Sequence, residues 1–201
     1  MLEFKNVVMA EGMSPLSFVV RTGEILAVKG AEGSGKTMLV NVVLGRLPVY
    51  KGYVTIDGEL VTAGSAPYFR KMMGYVPQNV DFPLKKVSDI VNAMIEISAS
   101  RGRACTRKDV VDEMSALGVA EAFLDVDTDT ADKVMLKIAL MAVCSAIGGR
   151  ILVVDSPTDI VDVRISAALK TMAEKGWVVL VTERDDYIEY DKKVDLYSPH
   201  F

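Results

Sequence analysis

The sequence predicts an α/β fold with a mostly parallel sheet, and three observations predict it. Runs of β-branched residues alternate with helix-period patterns along the later part of the chain. Two of those runs, Ile151–Val154 and Val178–Val181, are apolar at every position, as strands covered on both faces must be. Third, the strand-like run Ile25–Lys29 passes through a glycine-rich turn directly into an apolar helical pattern.

Taken in order, the strand-like runs occupy 2–8, 17–20, 24–29, 53–57, 73–76, 151–154 and 177–181. The run after Lys36 spaces Met38, Leu39, Val42, Val43 and Leu47 at a period near 3.6, which predicts a helix. Thr106 followed by Asp109 forms a capping-box pattern, and Gly118 marks the far end of the helix it opens. The apolar face of that helix is Val110, Val111, Met114 and Leu117. A further helix over 132–147 is apolar almost all round and is expected to be buried on most sides. The stretch from 77 to 150 is too long for one crossover, so a helical lobe is expected at about 86–130. No internal repeat is present.

Composition narrows the function classes. Of 201 residues, 50% are hydrophobic and 25% charged, enough for a sizeable core. A net charge of −4 argues against a nucleic-acid binder that works by bulk charge. The single histidine, His200, argues against Ser-His-Asp catalysis and multi-histidine metal sites. Cys105 and Cys144 lack CxxC spacing and read as two buried thiols in a reducing cytoplasm. The N-terminus has no signal-peptide pattern. The longest apolar stretch, Val134–Ile147, contains Lys137 and falls short of the ~20 residues of a membrane span. A cytoplasmic protein is expected, peripheral at the membrane if a partner holds it there.

Gly30-Ala-Glu-Gly33-Ser34-Gly35-Lys36-Thr37 matches G-x-x-x-x-G-K-[ST], the phosphate-binding loop of nucleotide-binding proteins. Glycines let backbone N–H groups turn inward around phosphate oxygens, and the following helix points its positive end at the same anion. Lys36 reaches the β and γ phosphates of ATP, and the Thr37 hydroxyl is a ligand for Mg²⁺. Asp155, at the end of an apolar strand, stands where an acid holds Mg²⁺ through water. An Asp at a strand end also reads as a turn former or helix cap; the phosphate loop favours the metal role.

Further motifs follow in a fixed order: Gly23-Glu24 before the loop, Gly52-Tyr-Val-Thr-Ile-Asp-Gly58 after it, then Gly74-Tyr-Val-Pro-Gln78. Asp81-Phe-Pro83 with Val87-Ser-Asp-Ile90 comes next, and Asp155-Ser-Pro-Thr158 with Asp162 after that. With these, the chain resembles the nucleotide-binding subunit of ATP-binding-cassette (ABC) transporters from about Glu3 to Tyr197. The resemblance implies a single domain over 1–201: a P-loop NTPase core, a small N-terminal antiparallel β part and the helical lobe. It implies that Gln78 contacts Mg²⁺ and the attacking water, so that Thr37, Gln78 and Asp155 hold the metal. It adds Thr182 to the nucleotide-binding residues of the loop. It also implies pairing, as a homodimer or with another nucleotide-binding subunit, and an integral-membrane permease docked near Gln78 and the lobe.

Four departures from the family pattern bear on activity. Ser156 stands where the family has the glutamate that polarises water. The family's Leu-Ser-Gly-Gly-Gln signature falls on Thr130-Ala-Asp132-Lys133-Val134, which puts a carboxylate where a partner's γ-phosphate would approach. The switch histidine is replaced by Glu183 after Thr182. Asn6 to Ser17 offers no aromatic for the base, only Met9 and Met13, which leaves ATP versus GTP open. No complete site forms in either kind of dimer, and loss of a base alone costs about 10²–10⁴ in rate, so hydrolysis is expected to be slow or absent. Glu183 is a candidate to orient the attacking water in place of the missing glutamate. The alternative to a transporter subunit is a soluble nucleotide-gated dimerisation or regulatory module. A kinase reading would use Arg101, Arg103 and Arg107 as a phosphate lid, although they read more simply as a solvated basic turn.

Overall fold

The computed structural model describes residues 1–100 and 102–197; Arg101 and His200 lie outside the described residues. Two sheets organise them. A four-stranded antiparallel sheet has the order β2–β1–β4–β5, with β1 at Leu2–Val8, β2 at Leu16–Val20, β4 at Lys51–Ile56 and β5 at Glu59–Leu60. A five-stranded sheet has the order β6–β7–β8–β3–β9, and every pairing in it is parallel. Its strands are β3 (Ile25–Lys29), β6 (Met73–Val76), β7 (Ile151–Asp155), β8 (Val178–Glu183) and β9 (Lys192–Asp195). Together with the helices these make the P-loop NTPase architecture, a mostly parallel α/β core with an antiparallel N-terminal part.

Every residue of β3, β7 and β8 is buried, which is why these strands are apolar runs and not alternations. One face of the parallel sheet packs Leu26, Val28, Val153 and Leu180 with Leu2 and Phe4 of β1 and Leu39 of helix α1 (Lys36–Val43). The other face packs Val154, Val179 and Val181 against α5 (Lys133–Ala146) and α6 (Val163–Glu174). That second core continues into the lobe through Val87 and Ile90 of α3 (Val87–Ser100) and Val110 and Met114 of α4 (Arg107–Ala116). α5 is buried from Leu136 to Cys144, so its all-round apolar pattern has a structural reason.

Some elements were not visible in the pattern. The strand expected at 53–57 runs over 51–56, because Asp57 (φ 50°) and Gly58 (φ 85°) form the left-handed two-residue turn that returns the chain as β5. The short α2 (Ala66–Arg70) starts with Pro67 in its first turn. β9 is an edge strand carrying Lys192 and Lys193, and charges of that kind protect an edge while weakening its strand signature. Both cysteines are unpaired and buried, and burial pushes the Cys144 thiol up to about 12. Among the described residues no helix is long and apolar enough to cross a membrane.

The capping box at α4 forms in full. The Thr106 hydroxyl accepts from the Asp109 N–H at 3.2 Å, and the Asp109 carboxylate accepts from the Thr106 N–H at 2.8 Å. Removing the hydroxyl orphans one donor of the first turn. Thr106→Ala is therefore expected to lower unfolding stability by about 1 kcal/mol. The check is a lower urea midpoint at unchanged m-value.

Candidate functional site

β3 ends at Lys29, and the loop Gly30–Gly35 leads into α1 at Lys36. A Cβ on Gly30 would lie 2.2 Å from Ser34 Oγ and 2.9 Å from the Leu196 carbonyl, so no side chain fits there. Gly33 (φ 78°) and Gly35 (φ 97°) take left-handed backbone, the second of them at the helix N-cap. Ser34 Oγ is buried without a hydrogen-bond partner among the described residues. The Lys36 ammonium folds back over the loop and donates to the carbonyls of Gly30 at 2.5 Å and Ala31 at 2.9 Å. Burial lowers its pKa, against the pull of Asp155 in the opposite direction.

The loop opens on a cavity of about 510 Å³. Gly33, Gly35, Lys36, Thr37 and Gln78 line it, together with Ser156, Thr158, Asp159 and Arg184. Asp155 stands behind that lining at the end of β7, paired in register with Thr182 of β8. The Thr182 hydroxyl donates to Asp155 Oδ1 at 2.6 Å and accepts from the Ser156 N–H at 2.9 Å. One hydroxyl thus fixes both the carboxylate and the turn that follows it. Ser156 itself has φ 43°, an uncommon backbone for a residue with a side chain. Lys137 of α5 holds this turn by donating to the carbonyls of Ser156 and Pro157, each at 3.1 Å. Burial lowers the Lys137 pKa.

Strand alternation separates Thr182 from Glu183. Val178 and Leu180 share the α1 face of the sheet, whereas Val179 and Val181 share the α6 face. Thr182 therefore turns to Asp155, and Glu183 turns to the far side. There it is fully buried, with Oε1 3.7 Å from the Lys29 ammonium and Oε2 accepting from the Tyr187 N–H at 3.1 Å. Lys29 also pairs with Asp186 and donates to the Tyr190 hydroxyl at 3.0 Å. Burial raises the Glu183 pKa, and the Tyr187 N–H and Lys29 only partly offset it. Glu183, expected from the sequence to orient the attacking water, is thus engaged with Lys29 and the Tyr187 N–H on the face of the sheet away from Asp155.

Asp132 is also committed. It N-caps α5 by accepting from the N–H groups of Val134 at 2.8 Å and Met135 at 3.0 Å. Its second oxygen pairs with Arg164 at 2.7 Å, and Arg164 pairs in turn with Asp162. Lys133 pairs with Asp81 at 2.7 Å.

The sequence-predicted residues thus fall into three groups. Gly33, Gly35, Lys36, Thr37 and Gln78 meet at the cavity, with Gly30 and Ser34 shaping the loop behind them. Asp155 and Thr182 join each other just behind. Glu183 is excluded. Among the described residues no three His, Cys, Asp or Glu side chains form a metal cluster. Thr37, Gln78 and Asp155 offer oxygen donors, the type that suits Mg²⁺ shared with phosphate oxygens. Two residues of the site were missed. Lys137 could have been found as the lone charge in the apolar run of α5, and Arg184 as the cation that directly follows the last core strand.

The ABC transporter family model matches residues 13–159. The chain is 27% identical, over 90% of its length, to the ribose import ATP-binding protein RbsA 3 of Rhizobium meliloti (strain 1021), and covers 39% of that protein. It is 26% identical, over 84% of its length, to the type I secretion system ATP-binding protein PrsD of the same strain, and covers 30% of it. The chain therefore spans well under half the length of these relatives. Its fold is similar to the dimeric structure of MJ0796, a bacterial ABC transporter cassette. The TM-score is 0.80 at 20% identity, over 99% of this chain and 95% of that one.

Lys29→Met would leave the Glu183 carboxylate buried without its ammonium and raise its pKa further above the ordinary 4.5. A carboxyl whose folded pKa exceeds its unfolded one contributes stability at acid pH that is lost as pH rises through the folded pKa. The variant should thus be destabilised by about 3–5 kcal/mol at neutral pH, with the deficit shrinking toward about pH 4.5. Urea unfolding of wild type and variant across that range checks the sign. The double variant Lys29→Met/Glu183→Leu should recover most of the neutral-pH loss.

Proposed function

Because this chain belongs to the ABC transporter family, we propose that it is the ATP-binding subunit of a membrane transport system whose own hydrolysis is slow or absent. The observation that carries this reading is the convergence of Lys36, Thr37 and Gln78 on one cavity, backed by the Asp155–Thr182 hydrogen bond. The loop N–H groups and the α1 N-terminus bind the phosphates of ATP. Lys36, now on the carbonyls of Gly30 and Ala31, moves to the β and γ phosphates. Thr37, Gln78 and Asp155 would hold Mg²⁺, which screens the phosphate charge.

Slow chemistry follows from the positions around that cavity. Ser156 follows Asp155 and carries no basic group to accept a proton from water. Glu183 is on the wrong face of the sheet to replace it. The first N–H groups of α5, which in the family pattern would face a partner's nucleotide, are occupied by Asp132. MJ0796 is described as a dimer, and this chain would pair likewise, with itself or with another nucleotide-binding subunit.

Attachment to a permease is supported by a second groove. It lies between β6, which leads to Gln78, and the lobe, and Met94, Ile97, Arg103 and Ile147 line it. Ile97 is half exposed there, an apolar surface suited to a partner helix. Such docking places the protein at the cytoplasmic face of a membrane. A second reading, a soluble nucleotide-gated module, draws on the Asp132 cap, which closes the helix terminus to a phosphate from a partner.

Lys36→Ala is the control that tests the reading. Wild type is expected to bind Mg-ATP in equilibrium dialysis, and Lys36→Ala to lose at least tenfold in affinity, at about the value of one charge-assisted contact. Phosphate release by wild type should barely exceed that of the variant. Turnover at an ordinary rate of about 1–10³ s⁻¹, abolished by Lys36→Ala, would refute the slow-hydrolysis part and send the search for a base elsewhere. Co-purification with an integral-membrane protein separates the two readings.

A further inference from the structure

Just past the end of β8 at Glu183, Arg184 lines the cavity with Lys36, Thr37 and Gln78. Its side chain is 73% exposed. Its one ion-pair partner among the described residues is Asp185, the next residue, at 3.8 Å. Asp185 already accepts from the Tyr187 hydroxyl at 2.8 Å. The acids Glu32 and Asp159 line the same cavity, and neither comes within ion-pair distance of Arg184. A loose pair between exposed neighbours contributes little, so an incoming anion displaces almost nothing. Lys36 and Arg184 thus line one cavity, and two cations so placed repel each other until a polyanion lies between them.

We propose that Arg184 is the specificity-determining residue for the terminal phosphate, its guanidinium clamping the γ-phosphate of a nucleoside triphosphate whose other phosphates sit in the loop. This deepens the nucleotide-binding reading and rests on it. The planar guanidinium donates two parallel N–H bonds to phosphate oxygens, a geometry the Lys36 ammonium does not offer. Arg184 follows β8, whose Thr182 hydroxyl holds Asp155, so it enters the cavity from the strand end that carries the metal-binding acid, where the third phosphate of a triphosphate would lie and a diphosphate would have none. The contact therefore discriminates by phosphate number and is indifferent to the base. It also supplies a cation on the β8 side of the cavity, where Glu183 is turned away.

The test is calorimetric titration of the full chain with Mg²⁺ and either ADP or a non-cleavable ATP analogue. Wild type is expected to favour the triphosphate. Arg184→Ala should weaken triphosphate binding by about 10- to 100-fold, the range of a charge-assisted contact. ADP affinity should stay within about twofold and the melting temperature should not move, because the side chain is exposed. Arg184→Lys should recover part of the loss. Three results overturn the proposal while leaving nucleotide binding intact: a wild type without preference, an Arg184→Ala variant that keeps the preference, or one that loses ADP and triphosphate equally. A wild type that binds neither nucleotide, or a Lys36→Ala variant that binds as wild type does, overturns the underlying reading as well.

Discussion

Three strands run parallel, and most of the site depends on it. β7, β8 and β3 are hydrogen-bonded neighbours with all their carboxyl ends at one edge of the sheet. That edge receives Gly30 from β3, Asp155 from β7 and Thr182 from β8 without any further device, as open parallel sheets generally do for their ligands. The Gly30 N–H even donates to the Glu183 carbonyl at 3.3 Å, which ties the start of the phosphate loop to the end of β8. The price is an interior that accepts only apolar side chains along three strands. The polar residues of the site are consequently confined to strand ends, where Lys29, Asp155, Thr182 and Glu183 all stand.

Being confined to strand ends does not make those residues exposed. Lys29, Asp155, Thr182 and Glu183 are all buried, and each needs a partner to offset desolvation. Alternation then decides which partner. Positions 155 and 182 face α1 and meet each other; positions 29 and 183 face the other way and form a separate pair. A strand cannot send consecutive side chains to the same site, so one residue of Thr182-Glu183 had to be lost to the phosphate cavity. Lys137 reaches the same edge from α5 and spends its donors on carbonyls of a turn that Ser156 holds in left-handed backbone.

The sequence carried the parallel core in its apolar runs and the phosphate loop in its glycine spacing, because both are local patterns with few alternative readings. The capping box at Thr106 was equally plain, since it needs only two residues three apart. What stayed hidden was set by contact or by parity. β5 follows a two-residue turn and makes only two ladder positions, too few for a period to show. β9 is charged because it is an edge, and so lacks a strand composition. Glu183 looked available for catalysis because its neighbour Thr182 is at the site. One step of alternation from Thr182 turns the Glu183 side chain to the opposite face of the sheet, beside Lys29.

Three of the positions that depart from the family pattern can be compared by what they touch. A site decaying by mutation leaves charged groups without partners, at the cost that unpaired buried charge carries. Here Asp132 caps α5 and holds Arg164, Ser156 has its N–H on Thr182 and its carbonyl on Lys137, and Glu183 lies beside Lys29. Only one buried oxygen of Glu183 lacks a hydrogen bond, and it is the oxygen nearest the Lys29 ammonium. Asp132 and Glu183 are thus parts of internal networks that restoring the family residue would break, whereas Ser156 is held through backbone atoms that any residue supplies. Glu183→His would set an imidazole against Lys29, and Asp132→Gly would release both an N-cap and Arg164. The acids at 132 and 183 are therefore structural commitments of this chain, each held by a partner cation as well as by backbone N–H groups.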